Sequence, residues 1–184
     1  KVKDIMTGLG FQEMMYNYLG SKKEYIDNMH ISPDKAVFIA NPMSENYEVI
    51  RPSILPCLLE SESVSGHAVY PHLIFECGKV TVKDENDNSG THTGNSVGFL
   101  AANVSMGYND AASYIQTLMY FLRKDYTLSP VEDDPRFIPG RAAYVMYKGE
   151  KAGVFGETHP AVLESWGCTM PAIMAELDMD ILLK

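Results

Sequence analysis

The sequence is poor in the residues that would staple, solvate or anchor it in unusual ways. Only three of its 184 residues are cysteines, Cys57, Cys77 and Cys168. They are far apart, odd in number and not arranged as C-x-x-C, which argues against a disulfide framework and a zinc site. All three read as small buried hydrophobes, and a reducing cytoplasm suits them. Arginine is scarcer than usual: Arg51, Arg123, Arg136 and Arg141 are the whole set, against a formal net charge of −9. With no basic run longer than Lys22-Lys23 or Arg123-Lys124, the chain lacks the cation cluster that neutralises a phosphate backbone. Alone, it is expected to bind nucleic acid poorly. No stretch approaches the ~20 apolar residues of a spanning helix, and Lys1-Val2-Lys3-Asp4-Ile5 lacks the apolar run of a signal peptide. The first residue is not Met, so the chain is read as part of something longer or trimmed.

What is present suffices for one core. Hydrophobic residues make up 46% of the chain and charged ones 21%, which favours a single compact unit over residues 1–184. KVKDIMTGLG spaces Val2, Ile5, Met6 and Leu9 on one helical face and stops at Gly10. FQEMMYNYL reads as a strand. Ser21 and Glu24 have capping-box spacing and start a short helix over Lys22 to Asn28. AVFIA is a strand ended by Asn41-Pro42. Ser53 to Ser63 is an amphipathic helix with Ser53 as its N-cap and Pro56 in its first turn.

HLIFECGKV alternates as a half-buried strand, and DENDNSGTHTGN is a polar hairpin loop. SVGFLAANV is another strand. Asn109-Asp110 caps the longest helix, which buries Ala112, Ile115, Leu118, Met119 and Leu122. EDDPRFIPG reads as a turn-rich connection, and AAYVMYKGEKAGVFGE as a hairpin turning at Lys148-Gly149. HPAVLESWG is a short helix, with Pro160 near its first turn, and PAIMAELDM a strand. Helices and strands do not alternate strictly, which predicts an α+β fold with a mainly antiparallel sheet flanked by helices.

Four blocks in one order carry a resemblance. They are NPMSENYEVIRPSILPCLL (41–59), LIFECGKV (73–80), RFIPGRAAYV (136–145) and GVFGETHPAVLESWGCTMPAIMAELDMDIL (153–182). Together they resemble the β subunit of phenylalanine–tRNA ligase, with Phe-Ile-Pro-Gly-Arg and Gly-Glu-x-His-Pro nearest the archaeal and eukaryotic branch of that family. The resemblance implies a class II synthetase-like domain within a longer β chain. It implies an (αβ)₂ assembly in which the α subunit binds ATP, phenylalanine and the tRNA acceptor end. The β copy of the fold would pack against α and support it. It implies no cofactor in this domain, with ATP and magnesium used by the parent complex. tRNA(Phe) would be engaged through the whole complex rather than strongly here, in the cytoplasm and without a membrane. Self-association of the isolated piece through surface meant for α stays open.

A working class II site holds the ATP phosphates with positioned arginines and metal, because adenylation concentrates negative charge there. Here no Gly-x-Gly-x-x-x-Arg is present. The comparable glycines, Gly153 and Gly156, lead into Glu157, Thr158, His159 and Pro160, and Phe75-Glu76 carries no Arg in a Phe-Arg-x-Glu arrangement. A carboxylate at the phosphate position is repulsive, so the domain is expected to be catalytically silent, with no catalytic, cofactor or metal residue of its own.

The candidate residues are therefore structural or interfacial: Arg51, Pro52, Ser53, Pro56, Phe75, Glu76, Gly140, Arg141, Glu157, His159 and Pro160. Arg51 and Arg141 read as partners of acidic side chains or of backbone carbonyls rather than phosphate ligands. His159 invites a general-base or metal reading, but with no second His or Cys at ligand spacing it reads as a helix cap. Asp84, Glu85 and Asp87, like Glu132, Asp133 and Asp134, lack calcium-loop spacing and read as solvated loop charge. The tyrosines Tyr16, Tyr18, Tyr25, Tyr114, Tyr120 and Tyr126 read as core and interface packing rather than a base-stacking platform. A competing reading is an independent amino-acid-binding module, its ligand held between Phe75, Glu76 and Arg141. Residual adenylation activity is a third, opposed by the missing arginines.

Overall fold

The computed structural model describes residues 1–184. Helix α1 (Val2–Gly8) ends where Gly10 adopts φ +91°, and the chain then pairs as β1 (Gln12–Glu13). The predicted strand over FQEMMYNYL is thus only two residues long. Its remainder leaves the main sheet, with Met15 88% exposed, to form β2 (Leu19–Gly20). Ser21 and Glu24 form the predicted box: Glu24 N donates to Ser21 Oγ at 3.1 Å, and Ser21 N to Glu24 Oε2 at 3.0 Å. The turn that follows, Lys23–Asp27, is wound as a π-helix. Strands β3 (Val37–Phe38) and β4 (Val49–Ile50) complete a three-stranded sheet in the order β2-β4-β3. Of that sheet the sequence signals β3, within the predicted strand AVFIA, but not β4, since a two-residue strand carries no readable period.

Helix α2 (Leu55–Val64) buries Leu55, Pro56, Cys57, Leu58, Leu59 and Glu62, nearly all round, because it lies between the small sheet and the large one. Strands β5 (His72–Lys83) and β6 (Thr91–Ala102) form a long hairpin, so Thr91–Asn95 of the predicted polar loop is strand. In the turn itself, Asp84 Oδ1 accepts from Asn86 N at 2.9 Å and Asp87 Oδ1 from Ser89 N at 2.8 Å. These acids shape the turn through side chain to backbone bonds. Helix α3 (Tyr108–Leu122) begins at an N-cap Gly107. Asp110, predicted as a cap, instead stands at the third helical position and accepts from Gly107 N at 2.9 Å. Ala111 takes the fully buried place expected of Ala112.

Strand β7 (Thr127–Pro130) is too short to carry a sequence signal. Strand β8 (Phe137–Tyr147) absorbs part of the predicted connection EDDPRFIPG. A break is nonetheless present within it, since the register with β9 (Glu150–Thr158) jumps between Phe137↔Thr158 and Ala142↔Gly156. Residues 138–141 bulge out there, with Gly140 at φ +77°. The hairpin turns at Lys148-Gly149 as expected, both with positive φ as a tight right-twisted hairpin requires. Helix α4 (Pro160–Trp166), strand β10 (Ala172–Asp178) and a final turn α5 (Met179–Leu182) end the chain.

The large sheet runs β1-β5-β6-β10-β9-β8-β7, antiparallel except for β1 against β5. The result is an α+β fold built on a mixed seven-stranded sheet with helices on both faces. Strand alternation divides its side chains between two cores. One joins Phe75, Val97, Phe99, Ile173 and Phe155 to Met6 of α1 and Ile115, Leu118 and Met119 of α3. The other joins Leu100, Met174, Val154 and Phe137 to Ile54, Leu55, Leu58 and Leu59 at and in α2 and Val162 of α4. No helix is long and apolar enough to cross a membrane.

Candidate functional site

Three of the polar residues singled out in the sequence, Arg51, Ser53 and Glu76, converge on the face of the large sheet that α2 covers. Glu76 of β5 pairs with Gly98 of β6, and Gly98 with Glu176 of β10, so two carboxylates flank one glycine in a row across three strands. Above that row passes the segment Arg51-Pro52-Ser53-Ile54 that enters α2. A Cβ added at Gly98 would lie 3.0 Å from Ile54 Cγ2, so the absent side chain is what lets Ile54 rest on the sheet.

Arg51 is fully buried and Glu76 only 3% exposed. Nη1 and Nη2 of Arg51 donate to the two Glu76 oxygens at 2.9 and 2.8 Å, and Nε donates to the Lys79 carbonyl at 2.9 Å. The Tyr18 ring stacks beneath the guanidinium at 4.6 Å. Burial works against the Arg51 charge, but the bidentate Glu76 carboxylate more than offsets it and holds the group above its ordinary range. Arg51 is therefore engaged on every side. Its position, just after β4, makes the pair the polar link between the small sheet and β5.

At the other end of the row, the Glu176 carboxylate accepts from Ser53 Oγ at 2.5 Å, from Ile54 N at 2.9 Å and from Ser96 Oγ at 3.0 Å. Ser53 Oγ itself accepts from Leu55 N at 3.1 Å. The serine predicted as the α2 N-cap thus sits one residue ahead of Ile54 and still satisfies a first-turn amide. Pro52 is half-buried beside it, and Pro56 is buried in the first turn, where its missing N–H costs nothing. Glu176 and Ser96 are not singled out by the sequence reading. A signal exists for the first: a lone carboxylate in the apolar run AIMAEL, like Glu76 in LIFECG, marks a buried charge that must be paired.

A second group lies at the β8 bulge. Arg141 is exposed there, and its Nη1 donates to Glu157 Oε2 at 2.7 Å, while Glu157 Oε1 accepts from Tyr108 N at 2.9 Å. Glu157 is thereby a cap for α3 with Arg141 as its balancing cation, a structural role of the kind expected of it. The carboxylates that span the sheet face are Glu76 and Glu176. Gly153 and Gly156 also have a packing explanation. A Cβ at Gly153 would collide with the Glu176 carbonyl oxygen, and one at Gly156 would lie 2.6 Å from that of Arg141. His159 Nδ1 accepts from Ala161 N at 3.1 Å and caps α4, with Pro160 at its first position. Asp134 bonds both Nε and Nη2 of Arg136, at 2.8 and 2.6 Å, and so belongs to a local fork rather than to solvated charge.

Phe75, Glu76 and Arg141 do not converge. Phe75 is buried in the core beneath α3, Glu76 faces α2, and Arg141 lies out on the β8 bulge. No side chain among the three is free to grip an amino acid held between them, which removes the geometric basis of the binding-module reading. The tyrosines are likewise dispersed. Tyr114 packs edge-on against Phe11 at 4.9 Å, Tyr18 serves Arg51, and Tyr120 is 75% exposed.

Comparison with known proteins agrees with the four sequence blocks. The family described as the phenylalanyl tRNA synthetase beta chain CLM domain matches residues 1–179. The phenylalanine–tRNA ligase beta subunit of Treponema pallidum is 43% identical over 183 residues, covering all of this chain and 30% of the relative. That of Borreliella burgdorferi is 43% identical over 184 residues, covering all of the chain and 32% of the relative, and that of Borrelia hermsii 40% over 183, with 32% of the relative covered. The chain spans about a third of the length of these relatives. By sequence match along its whole length, the chain belongs to the phenylalanine–tRNA ligase beta subunit family, as its CLM domain.

Proposed function

We propose that this is the synthetase-like but non-catalytic domain of the β chain, a scaffold and subunit interface rather than a reaction site. The observation that carries the proposal is the Glu76–Gly98–Glu176 row and what lies on it. In a class II synthetase-like domain the antiparallel sheet would carry the adenylating site, and the sheet face here presents two carboxylates and no free arginine. Arg51 is consumed by Glu76, and Glu176 by Ser53, Ile54 and Ser96. Ile54 sits on the glycine between them, so both volume and charge oppose a triphosphate.

On this reading the chemistry belongs to an α subunit in an (αβ)₂ assembly. That subunit binds ATP with magnesium, phenylalanine and the acceptor end of tRNA(Phe), in the cytoplasm. The CLM domain holds no cofactor and braces α. ATP–pyrophosphate exchange tests the division of labour. Full-length β with α is expected to exchange pyrophosphate in the presence of phenylalanine, and the 184-residue chain alone is not. Exchange by the chain alone would overturn the proposal.

A further inference from the structure

A hollow of about 590 Å³ opens between the small sheet and the outward side of α2. Its mouth carries Met15, Leu19 and Tyr47, which are 88%, 36% and 48% exposed. Its wall is built from Tyr16 and Tyr25. The Tyr16 hydroxyl is tied to Ser61, and the Tyr25 hydroxyl to the Cys57 thiol, which donates to it at 3.8 Å. Burial pushes the Tyr16 phenol up to about 12 and raises that of Tyr25 further, so both rings stay neutral.

Two carboxylates line the same hollow, Glu24 and Glu60. One oxygen of Glu24 is used by the Ser21 capping box, and the Glu60 side chain accepts no hydrogen bond. Burial, and then the neighbouring Glu24 charge, raises the Glu60 carboxyl above its ordinary value. No lysine, arginine or histidine nitrogen lies within 4 Å of either: the nearby Lys22 turns away to Asp27. Glu24 is half-buried and Glu60 exposed at the rim of the hollow; their like charges repel, and a cation between them relieves that cost while gaining from the aromatic faces. The apolar mouth suits a cation carried on a methylene stem, such as an amino-acid side chain, better than a bare ion.

We propose that this hollow seats a lysine or arginine side chain of a second, different polypeptide, with Met15, Leu19 and Tyr47 packing on its stem and its apolar neighbours. A second copy of this chain is the poorer occupant, because each copy brings a net charge of −9. The inference rests on the interface reading above and names the chemistry that one patch of that interface recognises.

The test uses full-length β co-expressed with α, carrying Glu24→Gln and Glu60→Gln together. The amide that replaces the Glu24 carboxylate keeps a carbonyl for the Ser21 N–H, so the fold is retained, and a thermal midpoint of β no lower than the parent's verifies this. The dissociation constant of the αβ contact, from sedimentation at low and high salt, is expected to rise about tenfold at low salt and to lose much of its salt dependence. Assembly indistinguishable from the parent at both salts overturns the cation seat. Met15→Asp, at the exposed mouth, separates the two layers of the argument. If it weakens assembly and the glutamine pair does not, only the seat is wrong. If neither does, this face lies outside the contact and the interface reading fails for it too. An effect confined to β–β association assigns the hollow to a second copy and also overturns the proposal.

Discussion

The Arg51–Glu76 pair gives the sharpest prediction about how this domain is held together. Glu76→Gln keeps the shape of the side chain and removes its charge, leaving the fully buried Arg51 guanidinium with the Lys79 carbonyl and the Tyr18 ring as its main compensation. Removing one partner of a buried, bidentate pair costs about 3–5 kcal/mol, because the desolvated charge remains without its counterpart. For a domain of this size that corresponds to a fall in thermal midpoint of roughly 6–20 °C. The double variant Arg51→Met, Glu76→Leu removes both charges together and is expected to recover most of that loss. Urea unfolding followed by the fluorescence of Trp166, the one tryptophan of the chain, reads both variants and the parent. A Glu76→Gln variant within about 1 kcal/mol of the parent would refute the reasoning, since it would mean that water or another group already carries the Arg51 charge. Gly78 supplies an internal check: a Cβ there would collide with Arg51 Nη2, so Gly78→Ala is expected to destabilise by splaying the same pair.

Gly156→Ala places a Cβ 2.6 Å from the Arg141 carbonyl oxygen and 2.8 Å from Ala142 Cα, both backbone atoms that cannot rotate away. It is expected to lose about 1–3 kcal/mol or more in the urea assay, where a neutral outcome would show the β8–β9 spacing to be looser than described. Burial alone would raise the Asp134 carboxyl, but the Arg136 fork prevails and holds it below its ordinary value. Its contribution to stability is therefore complete above the unfolded carboxyl value of about 3.9 and is lost as pH falls through the lower folded value. Asp134→Asn should flatten the acid limb of stability against pH in that window, and an unchanged limb would remove the pair from the account.

The sequence is most legible where the determinant is local. The Ser21–Glu24 box, the Lys148-Gly149 turn and the Pro160 helix start are all fixed by residues within four positions of one another, and each appears where expected. Pairing that depends on distant partners is harder to see. Gln12–Glu13 is a strand only because β5 lies beside it, whereas Met15–Tyr18, with residues better suited to a strand, pairs with none before Leu19 reaches β4. The β8 bulge joins both lessons: Pro139-Gly140 correctly signals a break, but the chain resumes the same strand after it. At the site, Arg51 and Glu76 can be named from the sequence but not their mutual contact across 25 positions. Glu176 escapes notice because its role is to meet Ser53 and Ile54 from the far end of the chain.

The central claim is that a carboxylate-lined, side-chain-filled sheet face has no room or charge for substrates. Calorimetric titration of the folded 184-residue chain with phenylalanine and with magnesium–ATP tests this most directly. The account predicts no saturable heat with either ligand, and saturable binding of either one to this chain would contradict it.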